Sequence, residues 1–209
     1  KMKKVITALT VLFILLQASF ITYAEDGFSG QTGVRSNYMW RGYDQNRFTP
    51  MTEIQAQYDY KDAYAGVWVG GVDSLTHDGS EEYNFYGGYN FKPYGDWAFG
   101  VGAIHYEWSG DVLDNVTEGF ATAIYRDIVE FEFYFDLDDS LDVQRFYNIK
   151  VPVSQIPYVD VTFEYGKWED GYDFVTIGVF KSFGDWNVGF KFMPEVNEGN
   201  IIAAVNYSF

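Results

Sequence analysis

Along most of this chain, polar and apolar residues alternate one by one rather than every three or four positions. Val129, Phe131, Phe133 and Phe135 interleave with Glu130, Glu132, Tyr134 and Asp136. Tyr83, Phe85, Tyr89 and Phe91 alternate with Glu82, Asn84, Tyr86 and Asn90, and Ile54, Ala56, Tyr58 and Tyr60 with Glu53, Gln55, Gln57 and Asp59. A period of two belongs to strands, whose successive side chains point to opposite faces. Turn-forming residues divide the chain into twelve predicted strands: 30–42, 51–60, 63–73, 82–92, 96–108, 116–126, 128–137, 142–153, 157–168, 172–182, 185–194 and 199–209. Connections at 61–62, 92–96, 126–127, 154–157 and 182–185 are tight. Those at 43–50, 74–81, 109–115, 138–141, 169–171 and 195–198 are generally longer and more acidic.

Short turns alternating with long loops, on strands greasy on one side and polar on the other, predict an all-β fold: a transmembrane antiparallel up-and-down β-barrel of about twelve strands. A basic residue on the lipid face near the bilayer midplane costs about 2–4 kcal/mol, so the charged face must be the inner one. The predicted pore-lining residues are Arg35, Arg41, Glu53, Asp59, Glu82, Glu130, Glu132, Lys150, Asp160, Glu164 and Lys191. Strand 116–126 is ambiguous by this test. Residues 83–100 align without a gap with residues 172–189, pairing Gly95-Asp96-Trp97 with Gly184-Asp185-Trp186. Duplication of a hairpin and convergence of two turns explain that match equally well. Either way Trp97, Trp186, Tyr207 and Phe209 are expected in an aromatic belt at one membrane interface.

Lys1, Lys3 and Lys4 precede an apolar stretch from Val5 to Leu16, and small residues stand at Thr22 and Ala24. Residues 1–24 are therefore expected to be a cleaved signal peptide, leaving 25–209 as one barrel domain. Composition adds two constraints. The 209 residues contain no cysteine, so disulfides and thiolate metal sites are excluded, and 21% are aromatic. Formal net charge is -16, from 14 basic and 30 acidic residues, which argues against nucleic acid as a partner. No later segment is apolar for the 18 residues a membrane helix needs.

Candidate chemistry is sparse. His77 falls in a predicted outer loop and His105 near the outer end of a strand, neither in a triad-like or metal-like setting. The run from Asp136 to Asp142 lacks the glycine and the distant glutamate of an EF-hand, and reads as a solvated acidic loop able to bridge divalent ions to lipopolysaccharide. No catalytic residue, metal site or cofactor is assigned.

The alternating last strand, ending on Phe209, resembles the C-terminal strand of bacterial outer-membrane proteins, which implies export and recognition by the barrel-assembly machinery. A second resemblance lies further forward. Ser36-Asn37-Tyr38-Met39-Trp40-Arg41-Gly42-Tyr43-Asp44-Gln45, then Tyr64-Ala65-Gly66-Val67-Trp68, Tyr86-Gly87-Gly88-Tyr89 and Gly95-Asp96-Trp97 resemble, in that order, the TorF family of proteobacterial outer-membrane porins. Asn37 departs from the acidic residue expected there. The resemblance implies a barrel and a porin role without a known substrate. The expectation is a narrow passive channel in the outer membrane of a Gram-negative bacterium, in contact with lipid and lipopolysaccharide, passing small cationic or polar solutes. The alternatives are a non-conducting barrel sealed by pairs such as Arg41 with Glu53, and a lipid enzyme built on His105. Oligomeric state is not indicated.

Overall fold

The computed structural model describes residues 26–46, 49–71, 81–109, 114–138, 145–153, 158–194 and 200–209. The expected signal at 1–24, His77 and most of the acidic run after Asp138 lie outside them. The first strand, β1 (Gly27–Arg35), is followed by two very short ones, β2 (Met39–Trp40) and β3 (Tyr43–Asp44). Then come β4 (Met51–Tyr60), β5 (Ala63–Gly71), β6 (Glu81–Tyr94), β7 (Trp97–Trp108), β8 (Val116–Tyr125) and β9 (Val129–Asp136). The chain finishes with β10 (Phe146–Val153), β11 (Asp160–Trp168), β12 (Asp173–Phe183), β13 (Trp186–Met193) and β14 (Asn200–Ser208). All but β2 and β3 form one closed antiparallel barrel of twelve strands, in sequence order around the ring. That is the predicted fold class.

Closure falls on β1, which pairs with β4 on one side and β14 on the other, Gln31 opposite Ser208 and Arg35 opposite Ala204. Beyond the ladder, Gly30 and Phe209 exchange backbone hydrogen bonds of 2.9 and 3.0 Å. A Cβ on Gly30 would stand 2.4 Å from the Phe209 ring. Glycine is what lets the last aromatic lie flat across the seam. A closed ladder leaves no edge and satisfies every strand's backbone groups within the barrel.

The faces separate as the alternation requires. Ile54, Tyr58, Phe85, Phe91, Phe99, Phe131, Phe163 and Phe190 point outward and are exposed, while Glu53, Glu82, Glu130 and Glu132 point inward and are buried. Strand β8 resolves the ambiguous case, with Val116, Glu118 and Ile124 buried toward the inside. The two similar turns lie on opposite sides of the ring. Both carry a left-handed glycine, Gly95 at φ 62° and Gly184 at φ 59°, with Tyr94 opposite Trp97 and Phe183 opposite Trp186. Only the first has a register shift before its turn, between Phe91 and Tyr94.

One predicted element is wrong. The strand expected at 30–42 ends at Arg35, and residues 36–46 leave the wall and turn inward. Tyr38, Met39 and Trp40 are three bulky residues in succession, and a lumen-facing strand can point only every second side chain inward. Folding the segment into the barrel buries Tyr38 and partly buries Met39 and Trp40.

Candidate functional site

The inward segment is built as a hairpin. Met39 pairs with Asp44 and Trp40 with Tyr43, and the two residues between them, Arg41 (φ 46°) and Gly42 (φ 89°), are both left-handed. That is the dihedral signature of the tight turn whose twist matches paired strands. The barrel wall grips the turn. Trp168 Nε1 donates to the Arg41 carbonyl at 3.0 Å, and Tyr172 Oη donates to the Gly42 carbonyl at 3.0 Å. A Cβ on Gly42 would meet the Phe174 ring at 2.6 Å, so the turn approaches the wall as closely as a backbone can. Trp40 packs against a cluster containing Phe146, Trp168 and Phe174, and also against one formed by Tyr38, Met51 and Trp68. One indole therefore touches both sides of the lumen.

Two buried ion pairs flank it. Arg41 Nη1 and Nη2 donate to Glu118 Oε1 and Oε2 at 2.7 and 2.8 Å, a planar fork on a carboxylate. Arg35 pairs with Glu53, which also accepts from Trp68 Nε1 at 2.8 Å. The pairing of Arg41 with Glu53 considered from sequence is thus corrected: the inward fold of the hairpin carries Arg41 to Glu118 and leaves Glu53 to Arg35.

Between the hairpin and the short-turn end lies a cavity of about 650 Å³ with two unlike walls. Strands β4 to β6 present Gln55, Gln57, Asp59, Tyr64, Tyr86 and Asn90. Gln55 Nε2 donates to Tyr86 Oη at 2.6 Å, and Gln57 Nε2 to both Asp59 carboxylate oxygens. Strands β9 to β13 present alternating charges. Lys150 Nζ donates to Glu132 at 2.8 Å, Asn148 Nδ2 donates to Glu132 and Glu164 at 2.8 Å each, and Lys191 Nζ donates to Glu164 at 3.2 Å. A salt bridge in such a place needs further hydrogen bonds to offset the loss of water, and Asn148 supplies them.

The structure brings Glu130, Glu132, Lys150, Glu164 and Lys191 into this charged wall, Glu130 by register opposite Lys150. Glu82 is buried on β6, accepting from Asn84 Nδ2 at 2.8 Å and from Tyr38 Oη at 3.3 Å. Asp160 differs: it is the exposed first residue of β11 and does not border the cavity. Arg41 reaches the lumen from the hairpin rather than from a strand. Trp97, Trp186 and Phe209 are exposed at the short-turn end on the outer face, and Tyr207 is packed 4.9 Å from Trp186. His105 Nδ1 lies 3.0 Å from Thr117 Oγ1, one strand over.

Sequence reasoning missed Glu118, the partner of Arg41. A signal existed: Glu118 is the only charged residue between Val116 and Tyr125, and the price of placing it in lipid would have oriented that strand.

The family model described as "Bacterial protein of unknown function (Gcw_chp)" matches residues 23–207. The chain belongs to the Gcw_chp family. Membership assigns no activity and does not carry the TorF name, which rests on the motifs alone. No curated protein matches the sequence. Among solved structures, the chain is similar to KdgM porin at a TM-score of 0.59 and 9% identity, covering 87% of this chain and 98% of that one. A second structure, KdgM porin in complex with disordered oligogalacturonate, matches at 0.58 and 10% identity over the same shares. Outer membrane phospholipase A from Escherichia coli matches at 0.47 and 11%, covering 93% of each chain. The KdgM structures share the barrel fold with this Gcw_chp protein, and at such identities the likeness extends to fold alone.

Proposed function

We propose that this Gcw_chp protein is an outer-membrane barrel of porin type, forming a narrow passive channel for small cationic or polar solutes. The observation that carries the reading is a closed barrel with an apolar, aromatic outer face and a charged inner face around a 650 Å³ cavity. The outer face suits lipid, where a water-soluble chain would be left with a large exposed apolar surface. Export through residues 1–24, insertion through the last strand, contact with lipopolysaccharide and an aromatic belt at Trp97 and Trp186 belong to the same reading. The motif resemblance to TorF porins agrees with it.

Charge supports the solute class. Among the described residues, the inward cations Arg35, Arg41, Lys150 and Lys191 are each bridged to a carboxylate. Glu53, Asp59, Glu82, Glu118, Glu130, Glu132 and Glu164 on the same inner face outnumber these cations, and a lumen of one excess sign concentrates the opposite ion. Oligogalacturonate, present with KdgM, is an acidic sugar chain. The acidic lumen here favours a different kind of solute.

A second reading, a barrel sealed by its hairpin, is favoured by Trp40 touching both walls. One experiment separates the two. Arg35 and Met51 are paired neighbours, so residues 36–50 can be replaced by an Asn-Gly turn without moving either strand. In planar bilayers the channel reading expects the full chain to conduct with a cation-selective reversal potential, and the turn variant to conduct more. A silent full chain with a conducting variant establishes the sealed barrel. Silence of both, with folding verified by heat-modifiable gel migration, ends the channel reading.

A further inference from the structure

Arg41 sits in a pocket that the barrel builds almost entirely by itself. Its guanidinium carbon lies 3.9 Å from the Tyr134 ring centroid, 4.8 Å from that of Phe146 and 5.6 Å from that of Trp168. Glu118 takes both terminal nitrogens, and Tyr106 Oη donates to Glu118 Oε2 at 2.8 Å, holding the carboxylate in place. Tyr106, Glu118, Tyr134, Phe146 and Trp168 come from β7, β8, β9, β10 and β11, five consecutive strands. The hairpin contributes the guanidinium and Trp40, whose ring centroid is 4.8 Å from it.

Faces of electron-rich rings plus a fork-shaped acceptor are the two elements that recognise a planar, delocalised cation. A lysine ammonium or a simple metal ion would use the rings or the carboxylate, but not the fork. The buried carboxylate and the rings also lie on the lumen wall, where a solute would pass.

We propose that this arc is a guanidinium-binding site, that Arg41 is its tethered occupant, and that solutes carrying a guanidinium group compete with Arg41 for it. The inference rests on the channel reading for its role in passage, while the binding site itself stands apart from conduction. A group held by a hairpin already folded against its site has an effective concentration above that of a flexible tether, on the order of tens of millimolar, so a free guanidinium competes with the native hairpin only at roughly tens of millimolar and above. Removing the Arg41 side chain should lower that requirement by ten-fold or more.

The test uses the full chain refolded in detergent, with folding verified by heat-modifiable migration. Arg41→Ala is titrated with guanidinium chloride at constant ionic strength held by sodium chloride, reading the intrinsic tryptophan fluorescence, to which Trp40 and Trp168 at the site contribute. A saturable change in the low millimolar range, weakened at least ten-fold in Arg41→Ala/Glu118→Gln and absent from the unmodified protein over that range, is the expected result. No saturable change in folded Arg41→Ala, or an equal change with Glu118→Gln added, overturns the proposal. So does an equal response to tetramethylammonium, which has no N–H to give Glu118. If Arg41→Ala does not fold, Arg41→Lys serves instead: guanidinium should displace the ammonium with the same fluorescence change, and no response overturns the site. Binding in a barrel that never conducts would end the channel reading and leave the site; conduction without binding would do the reverse.

Discussion

Arg41 illustrates what a single side chain can decide in this barrel. Its side chain and that of Glu118 are 9% and 1% exposed, so each is a buried charge that depends on the other. Breaking such a pair by removing one member costs about 3–5 kcal/mol, whereas replacing both with apolar groups of similar volume is close to neutral. Glu118→Gln should therefore lower the urea midpoint of the refolded barrel more than Arg41→Met combined with Glu118→Leu. Equal losses would show that the pair is not coupled. Gly42 offers a second test. Alanine there incurs the left-handed backbone penalty of about 1–2 kcal/mol and a collision with Phe174, while at Gly95, also left-handed, nothing lies within 4 Å of a Cβ. Gly42→Ala should destabilise the hairpin clearly more than Gly95→Ala, as read by denaturant midpoints. Arg41 could be placed in the lumen from its charge alone. Its partner could not, because the two are 77 residues apart and meet only when the hairpin folds inward.

At the scale of elements, the alternation of side chains was legible because it is local. A strand with Glu130 and Glu132 on one side, like its neighbour with Lys150, has only one orientation that avoids charges in lipid. Depth matters as well as face. Phe133 stands in the middle of β9 between Ala121 and Tyr147, whereas Tyr60 adjoins the turn at Lys61. Phe133→Lys should cost about 2–4 kcal/mol in a bilayer and Tyr60→Lys about 0–1 kcal/mol, measured by refolding titrations in lipid vesicles. Equal costs would place the membrane differently along the barrel. The hairpin is the element the pattern concealed. Residues 36–42 look like the end of a strand, since nothing local distinguishes a strand in the wall from a short one folded inside it. The clue was the run Tyr38-Met39-Trp40, too apolar for either face of a strand with a wet side.

For the molecule as a whole, the balance of charge inside the barrel governs what passes, on the proposed reading. Cation preference should fall as salt rises from 0.1 M to 1 M, because the screening length shrinks from about 10 Å to about 3 Å. Reversal potentials measured at both concentrations check this, and a preference independent of salt would point to a local binding site instead of the lumenal field. The seam is the other whole-molecule feature. Gly30→Val would place a side chain where the Phe209 ring lies, and should slow closure, seen as unclosed, heat-unmodified protein accumulating during refolding.

Strand number, the faces of several strands and the all-β barrel were determined by the sequence itself. A period of two and the recurrence of turn residues act between neighbours, and lipid on one side with water on the other leaves a single consistent arrangement. Tertiary structure alone decided that residues 36–46 turn inward, that Glu118 rather than Glu53 receives Arg41, and that Asp160 stays clear of the cavity. Those outcomes depend on which distant walls of a closed ring face each other across the lumen, and no local pattern carries that information.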